Sequence, residues 1–303
     1  MLTEVFYWVL NMSIIAGLTG AVVLLVRSIK AIPRFFVYCL WVIPLVRLWI
    51  PFGISGGIGL MSFISKFTTR SVAVFEQGPP LAYTNAIMAA EDYFPLVFRS
   101  QGVETAFNIV AVVWAIICCA LLITAALLYY FTKTEIQRAV HLGGNVYCMK
   151  GMSSPAVYGI IKPKIIVPQD LPEDALKYVL AHERAHMKRK DNLLRCAAVV
   201  TACIHWFNPL VWVFVKCFFE DMELTCDAKV LEKLDKEEHK EYALALLGCA
   251  SKKSLYVSLF GAPRIRVRIE NILSYKKLTL ISGVCFSALT AAIIIALLTN
   301  AQS

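Results

Sequence analysis

The chain has 303 residues, of which 58% are hydrophobic and only 17% charged, with a mean hydropathy of +0.65. A soluble globular domain carries about 25% charged residues, so this composition excludes a soluble cytosolic protein, and it excludes the disordered and fibrous classes as well. The net charge of +9, from 30 Lys and Arg against 21 Asp and Glu, reads as membrane topology rather than a nucleic-acid footprint, because cations gather on the cytoplasmic side of membrane proteins.

The first predicted element is a span over 5–26, uncharged between Glu4 and Arg27 and long enough for a hydrocarbon core of about 30 Å. With no basic start and no small-residue cleavage site, it reads as a span and not a signal peptide. A second span over 35–52 contains Pro44 and Arg47, the arginine close enough to its far end to snorkel. An extracellular loop, 53–104, leads to a third span over 105–132, which is free of charge for 28 residues. A fourth covers 278–303, uncharged throughout. The ten cysteines form no CxxC pair and several fall in apolar runs, so they read as small buried hydrophobes and reduced thiols.

Charge flanks set the orientation. The link between the first two spans carries Arg27, Lys30 and Arg34 and no acid, and segment 133–277 holds 23 Lys and Arg against 16 Asp and Glu, a net of +7. Both termini are therefore expected outside and 133–277 in the cytoplasm, long enough there for one folded domain. The fold class is a membrane α-helical protein with four transmembrane helices and a cytoplasmic α+β domain. In that domain 146–149 and 157–167 look extended, the second an edge strand because of its proline. Asp170 can cap a helix with Glu173 three residues on, and Leu176, Val179 and Leu180 supply its apolar stripe. The uncharged run 196–215 is long enough to span, but spanning would put two groups of candidate ligands on opposite faces. It is read as a broken helical hairpin at the inner leaflet, interrupted at His205 and Asn208-Pro209. Residues 216–248 read as helical, with a Lys/Glu-rich surface turn at 233–241.

The chemistry-bearing motif is Ala181-His182-Glu183-Arg184-Ala185-His186. Imidazoles at i and i+4 project from one helix face and can bind one cation, while Glu183 can reach a water beside it. A catalytic zinc needs a third protein ligand and an open position. The candidates downstream are His205, Glu220, Asp221, Glu223, Asp227 and His239; Glu223 and Asp227 share a face at i,i+4. His205 reads as a satisfied polar group in the hairpin, and His141 and His239 as surface residues. Lys188-Arg189-Lys190 reads as a solvated or headgroup-facing stripe, and Arg264, Arg266 and Arg268 as lipid-headgroup contacts.

Four stretches carry a family resemblance: Pro155-Ala-Val-Tyr-Gly159 with Pro163 and Pro168, then LAHERAHMKRKDNLL, HWFNPLVW from His205, and ELTCDAKVL from Glu223. Together they resemble the membrane metallopeptidases of the BlaR/MecR type, transducers of β-lactam sensing in Gram-positive bacteria. The resemblance implies three spans, a cytoplasmic gluzincin-like domain and a fourth span in a bacterial cell membrane. It implies zinc as cofactor, with His182, His186 and Glu223 as ligands, Glu183 as the catalytic residue and Asp227 as an outer partner of the ligands. The sensors of that family carry an extracellular penicillin-binding domain after the fourth span. This sequence ends at Ser303, so direct β-lactam recognition is not expected of these residues.

The expected function is zinc-dependent cleavage of a cytoplasmic protein, a DNA-bound repressor or the chain itself, in response to an outside signal. The 157–167 edge would accept substrate as an added strand, and 251–268 is the segment suited to self-cleavage. Expected partners are that protein substrate and the lipid bilayer, with a homodimer left open and no direct nucleic acid. The competing class is a scaffold whose zinc is structural and which sequesters a partner. Such a site would be closed by four protein ligands. A transporter is disfavoured because Arg47 is the only charge within a span. No oxyanion donor is identifiable from the sequence.

Overall fold

Among the described residues three helices are long and apolar enough to cross a membrane: α1 (Leu2–Ser28), α4 (Gln101–Ile136, apolar from Glu104 onward) and α10 (Leu280–Leu298). They belong to a computed structural model that describes residues 1–29, 31–50, 54–55, 101–152, 154–250, 265–275, 277 and 279–300. Most of the expected external loop and residues 251–264 of the expected self-cleavage segment lie outside the described residues. The chain divides into two compact units, one of residues 1–121, 201–214 and 279–303, the other of 122–200 and 215–278.

In the first unit the expected second span forms two short helices, α2 (Arg34–Leu40) and α3 (Val42–Arg47). Pro44 explains the break, since it has no N–H to bond the carbonyl of Leu40 one turn back. Arg47 does not snorkel. It is buried, and its Nη2 donates to the carbonyls of Leu297 and Leu298, at 3.3 and 2.6 Å, where α10 ends. A cation there satisfies two orphaned carbonyls and the negative end of the helix dipole. Just beyond, β1 (Ile54–Ser55) pairs in parallel with β6 (Thr299–Asn300).

The apolar run 196–215 is a broken hairpin. Helix α6 (Asp191–Ile204) ends before His205, and α7 (Pro209–Leu231) begins at Pro209, the position where a missing N–H costs nothing. Asn208 caps α7 by accepting from Leu210 N at 2.9 Å. The tip is held by polar contacts: His205 Nε2 to Leu48 O at 3.1 Å, Trp114 Nε1 to Ile204 O at 2.9 Å, and Asn208 Nδ2 to Ser13 Oγ at 2.8 Å. Gly20 of α1 is required where it stands, because a Cβ would lie 2.2 Å from the Phe214 ring.

The second unit contains a four-stranded mixed sheet of order β2-β3-β5-β4: β2 (Val140–Gly143), β3 (Val146–Met149), β4 (Ala156–Tyr158) and β5 (Lys164–Pro168). The stretch expected as one edge strand is thus two antiparallel strands. Gly159, at φ 94°, makes the turn between them, and a Cβ there would meet the Lys162 carbonyl at 2.9 Å. Only β4 is an edge. β5 is interior and buries Ile165, Ile166 and Val167. The outward carbonyls of Val157 and Gly159 already accept from Asn192 Nδ2, at 2.8 and 3.2 Å.

Helix α5 (Glu173–Arg189) lays Val179 against Val146, Ile165 and Val167, with Leu176 and Leu180 packed around them; full burial of such a side chain contributes about 1.5–3 kcal/mol. The expected Asp170 cap is absent: α5 begins after Pro172, which presets φ for the helix. It ends at Lys190, a left-handed residue at φ 57°, and α6 starts at the next position. Helices α8 (Glu238–Ala250) and α9 (Ile265–Leu273) close the unit, burying Tyr242, Leu246 and Ile272 with Tyr178, Val230 and Leu231.

Candidate metal centre

His182 and His186 stand one turn apart on the buried face of α5, and their Nε2 atoms are 3.1 Å apart. Each ring is held from behind. His186 Nδ1 lies 2.6 Å from Asp191 Oδ2. His182 Nδ1 lies 2.9 Å from the Tyr242 hydroxyl, which donates in turn to Asp227 Oδ1 at 2.7 Å; Asp227 Oδ1 is itself 3.2 Å from that Nδ1. Acceptors behind both Nδ1 atoms fix the tautomer and direct both Nε2 lone pairs to a common point.

Glu223 completes the donor set from α7. Its Oε2 is 3.4 Å from His182 Nε2 and its Oε1 3.3 Å from His186 Nε2. The carboxylate is steadied from outside by Arg195. Two ring lone pairs and a carboxylate facing one another at these distances repel unless a cation lies among them, and two imidazoles with a carboxylate suit zinc. In the metal-free chain protons take that part. Burial depresses the pKa of His182, but the Cys226 sulfur, Asp227 and Glu223 outweigh it and hold it up at about 9. The same opposition raises His186 well above its ordinary value, with burial overcome by Cys226 and Glu223. Glu223 is held well below its ordinary value, the charge and hydrogen bonds of the two histidines overcoming burial.

The structure therefore brings together four of the residues singled out in the sequence: His182, His186, Glu223 and Asp227. Glu183 follows His182 on the same helix and is buried. His205 is engaged instead through Nε2 by the Leu48 carbonyl, while its buried Nδ1 has no hydrogen-bond partner among the described residues, so the expected satisfied polar group is only half satisfied. His141 contacts the Gly144 carbonyl on an exposed turn, and the His239 ring packs 5.9 Å from that of Tyr275.

Six site residues escape a reading of the motifs. Asp191 and Tyr242 orient the two imidazoles, and Arg195 steadies Glu223. Arg268 is not a headgroup contact: its Nε and Nη2 clamp both oxygens of Asp227 at 2.8 and 2.6 Å, and Nη2 comes within 3.3 Å of His182 Nε2. Burial again opposes ionisation of Asp227, and the Arg268 charge prevails to hold its pKa down. Arg189 likewise is no solvated stripe, since its Nε lies 3.3 Å from Asp191 Oδ1. Cys226 is more than a small core residue. Its Sγ and ring nitrogens of His182 and His186 all lie within 4.8 Å of one another. All ten cysteines are free thiols. For Asp191 and Cys226 a signal existed: one sits inside the motif-bearing run after His186, the other at i+3 from Glu223 on the same helix face.

Residues 7–272 match the family described as BlaR1 peptidase M56. The chain is similar to the regulatory protein BlaR1 of Bacillus licheniformis, 38% identical over 124 residues that make up 40% of this chain and 21% of that protein. It is similar also to the methicillin resistance mecR1 protein of Staphylococcus aureus (strain Mu50 / ATCC 700699), 30% identical over 115 residues, 37% of this chain and 20% of that one. These matches span about a fifth of the relatives' length. With three long apolar helices among its described residues and a buried cluster of two histidines facing an acid, the chain is a membrane protein that belongs to the BlaR1 peptidase M56 family.

Proposed function

We propose that this protein is a membrane-embedded zinc endopeptidase of a signal-transduction system, which cleaves a cytoplasmic protein, a transcriptional repressor or the chain itself, in response to an extracellular or envelope signal. The observation that carries the reading is the convergence of His182 Nε2, His186 Nε2 and the Glu223 carboxylate within 3.4 Å. These three would hold zinc in a gluzincin-type site, with Asp227, Tyr242 and Asp191 fixing the imidazoles.

Zinc, when bound, supplies Lewis acidity and lowers the pKa of water in its open position. Glu183 takes the proton of the attacking water on its carboxylate and returns it to the leaving amine. In the topology proposed here, 1–132 supplies three spans, the second broken into α2 and α3, 133–277 is the cytoplasmic peptidase domain, and α10 is the fourth span. The net +7 of 133–277 supports that orientation.

The test compares proteomes of cells carrying the native chain and Glu183→Gln. The variant should bind zinc and leave the substrate uncut; cleavage that persists in it rejects Glu183 as the base. A second reading, a non-proteolytic scaffold whose structural zinc helps it sequester a partner, is favoured by one observation, the Cys226 sulfur beside both imidazoles. A substrate cut by the native chain, and spared by chelation and by Glu183→Gln, rejects it.

A further inference from the structure

We propose that Cys226 is a fourth, displaceable metal ligand, so that the centre has a closed resting form in which a thiolate occupies the position hydrolysis requires. The proposal rests on the zinc-site reading above. Cys226 is fully buried on α7, three residues after Glu223 and one before Asp227. Its Sγ and nitrogens of both imidazoles fall within 4.8 Å of one another, while Glu223 reaches the same two rings at 3.3 and 3.4 Å. A tetrahedral zinc, with nitrogen and oxygen donors at about 2.0–2.2 Å and sulfur at about 2.3 Å, sets its ligand atoms about 3.5 Å apart. The sulfur therefore already stands within about 1 Å of ligand spacing to a nitrogen of each ring. Its thiol makes a weak contact at 3.5 Å to the carbonyl of His182 and a hydrogen bond to the His186 side chain, which ligation would exchange for a far stronger bond. Thiolate is also a softer donor than the others and well suited to zinc.

The exchange balances simply. As the sulfur–metal bond forms, the thiol proton leaves to solvent. Opening the site breaks that bond, returns a proton to the sulfur and admits one water in its place. A signal that shifts α7 or the segment around Cys226 would thereby set the fraction of molecules able to hydrolyse.

The test uses the full chain in nanodiscs, stripped of metal and reloaded with one equivalent of zinc, and X-ray absorption at the zinc edge. The native chain should show one sulfur neighbour at about 2.3 Å, and Cys226→Ser and Cys226→Ala should show none. Chelator competition should place zinc affinity of Cys226→Ala at least about tenfold below the native value. Cobalt loading of the native chain gives an independent readout, a thiolate-to-metal charge-transfer band, which needs no variant to fold. If the native chain binds zinc through nitrogen and oxygen neighbours alone, Cys226 ligation is wrong and the peptidase site stands. If it takes up no zinc, both readings fail.

Discussion

Asp191 Oδ2 lies 2.6 Å from His186 Nδ1, across a single left-handed residue, Lys190. The carboxylate is fully buried, and it fixes which nitrogen of His186 carries the proton. Asp191→Asn keeps its shape but removes its charge. Zinc affinity should fall about 10–100-fold, as read by competition with a chromophoric chelator. An unchanged affinity would remove Asp191 from the ligand-orienting set.

Tyr242 relays between His182 Nδ1 and Asp227 Oδ1 at 2.9 and 2.7 Å and is fully buried. Tyr242→Phe deletes the hydroxyl and leaves its partners short of one bond, a loss of about 1–3 kcal/mol. Denaturant unfolding of the metal-free chain measures it. Because His182 Nδ1 retains Asp227 at 3.2 Å, the variant should still bind zinc.

Arg268 holds Asp227 by two hydrogen bonds in a nearly buried pair. Arg268→Gln strands that carboxylate and should cost about 3–5 kcal/mol of stability. Arg268→Lys should recover part of it, since an ammonium supplies the charge without the two-pronged geometry. A lipid-headgroup role would instead leave unfolding unmoved and alter vesicle binding.

Acidity should act in opposite senses on metal binding and on the metal-free fold. With the His182 pKa at about 9, zinc must displace a proton at neutral pH. Affinity should therefore climb at least about tenfold per pH unit from 7 to 9 and then level off. In the metal-free chain the raised His182 value contributes stability that is complete below its ordinary 6.5 and lost as pH rises through about 9. The lowered Glu223 contributes stability that is complete above its ordinary 4.5 and lost on acidification. Melting temperatures of the stripped protein should thus peak between about 4.5 and 6.5.

Gly20→Ala tests the helix contact within the first unit. The added methyl would meet the buried Phe214 ring at 2.2 Å, an overpacking worth about 1–3 kcal/mol. Adding Phe214→Leu should restore much of that loss in thermal melts.

The chemistry was legible where it is local. An i,i+4 histidine pair needs nothing but helix periodicity, and the match of Glu223 and Asp227 to one face follows from the same arithmetic. The long apolar helices were legible for a similar reason, since bilayer thickness sets their length. What escaped depends on packing between segments remote in sequence. Tyr242 reaches His182 only because α8 packs on α5, and Arg268 reaches Asp227 from α9, 41 residues on. The single strand expected over 157–167 fails for a different reason: it contains Gly159, whose positive φ turns the chain back on itself. The snorkelling expected of Arg47 fails because hydropathy sees a charge and a distance to water, but not two carbonyls at the end of another helix.

Lys190 leaves no slack between α5 and α6. Adding or deleting one residue there would rotate everything downstream by about 100° about the helix axis, swinging Asp191 out of reach of the ring it orients. Chain length at this joint therefore constrains the site as tightly as the identity of its ligands does.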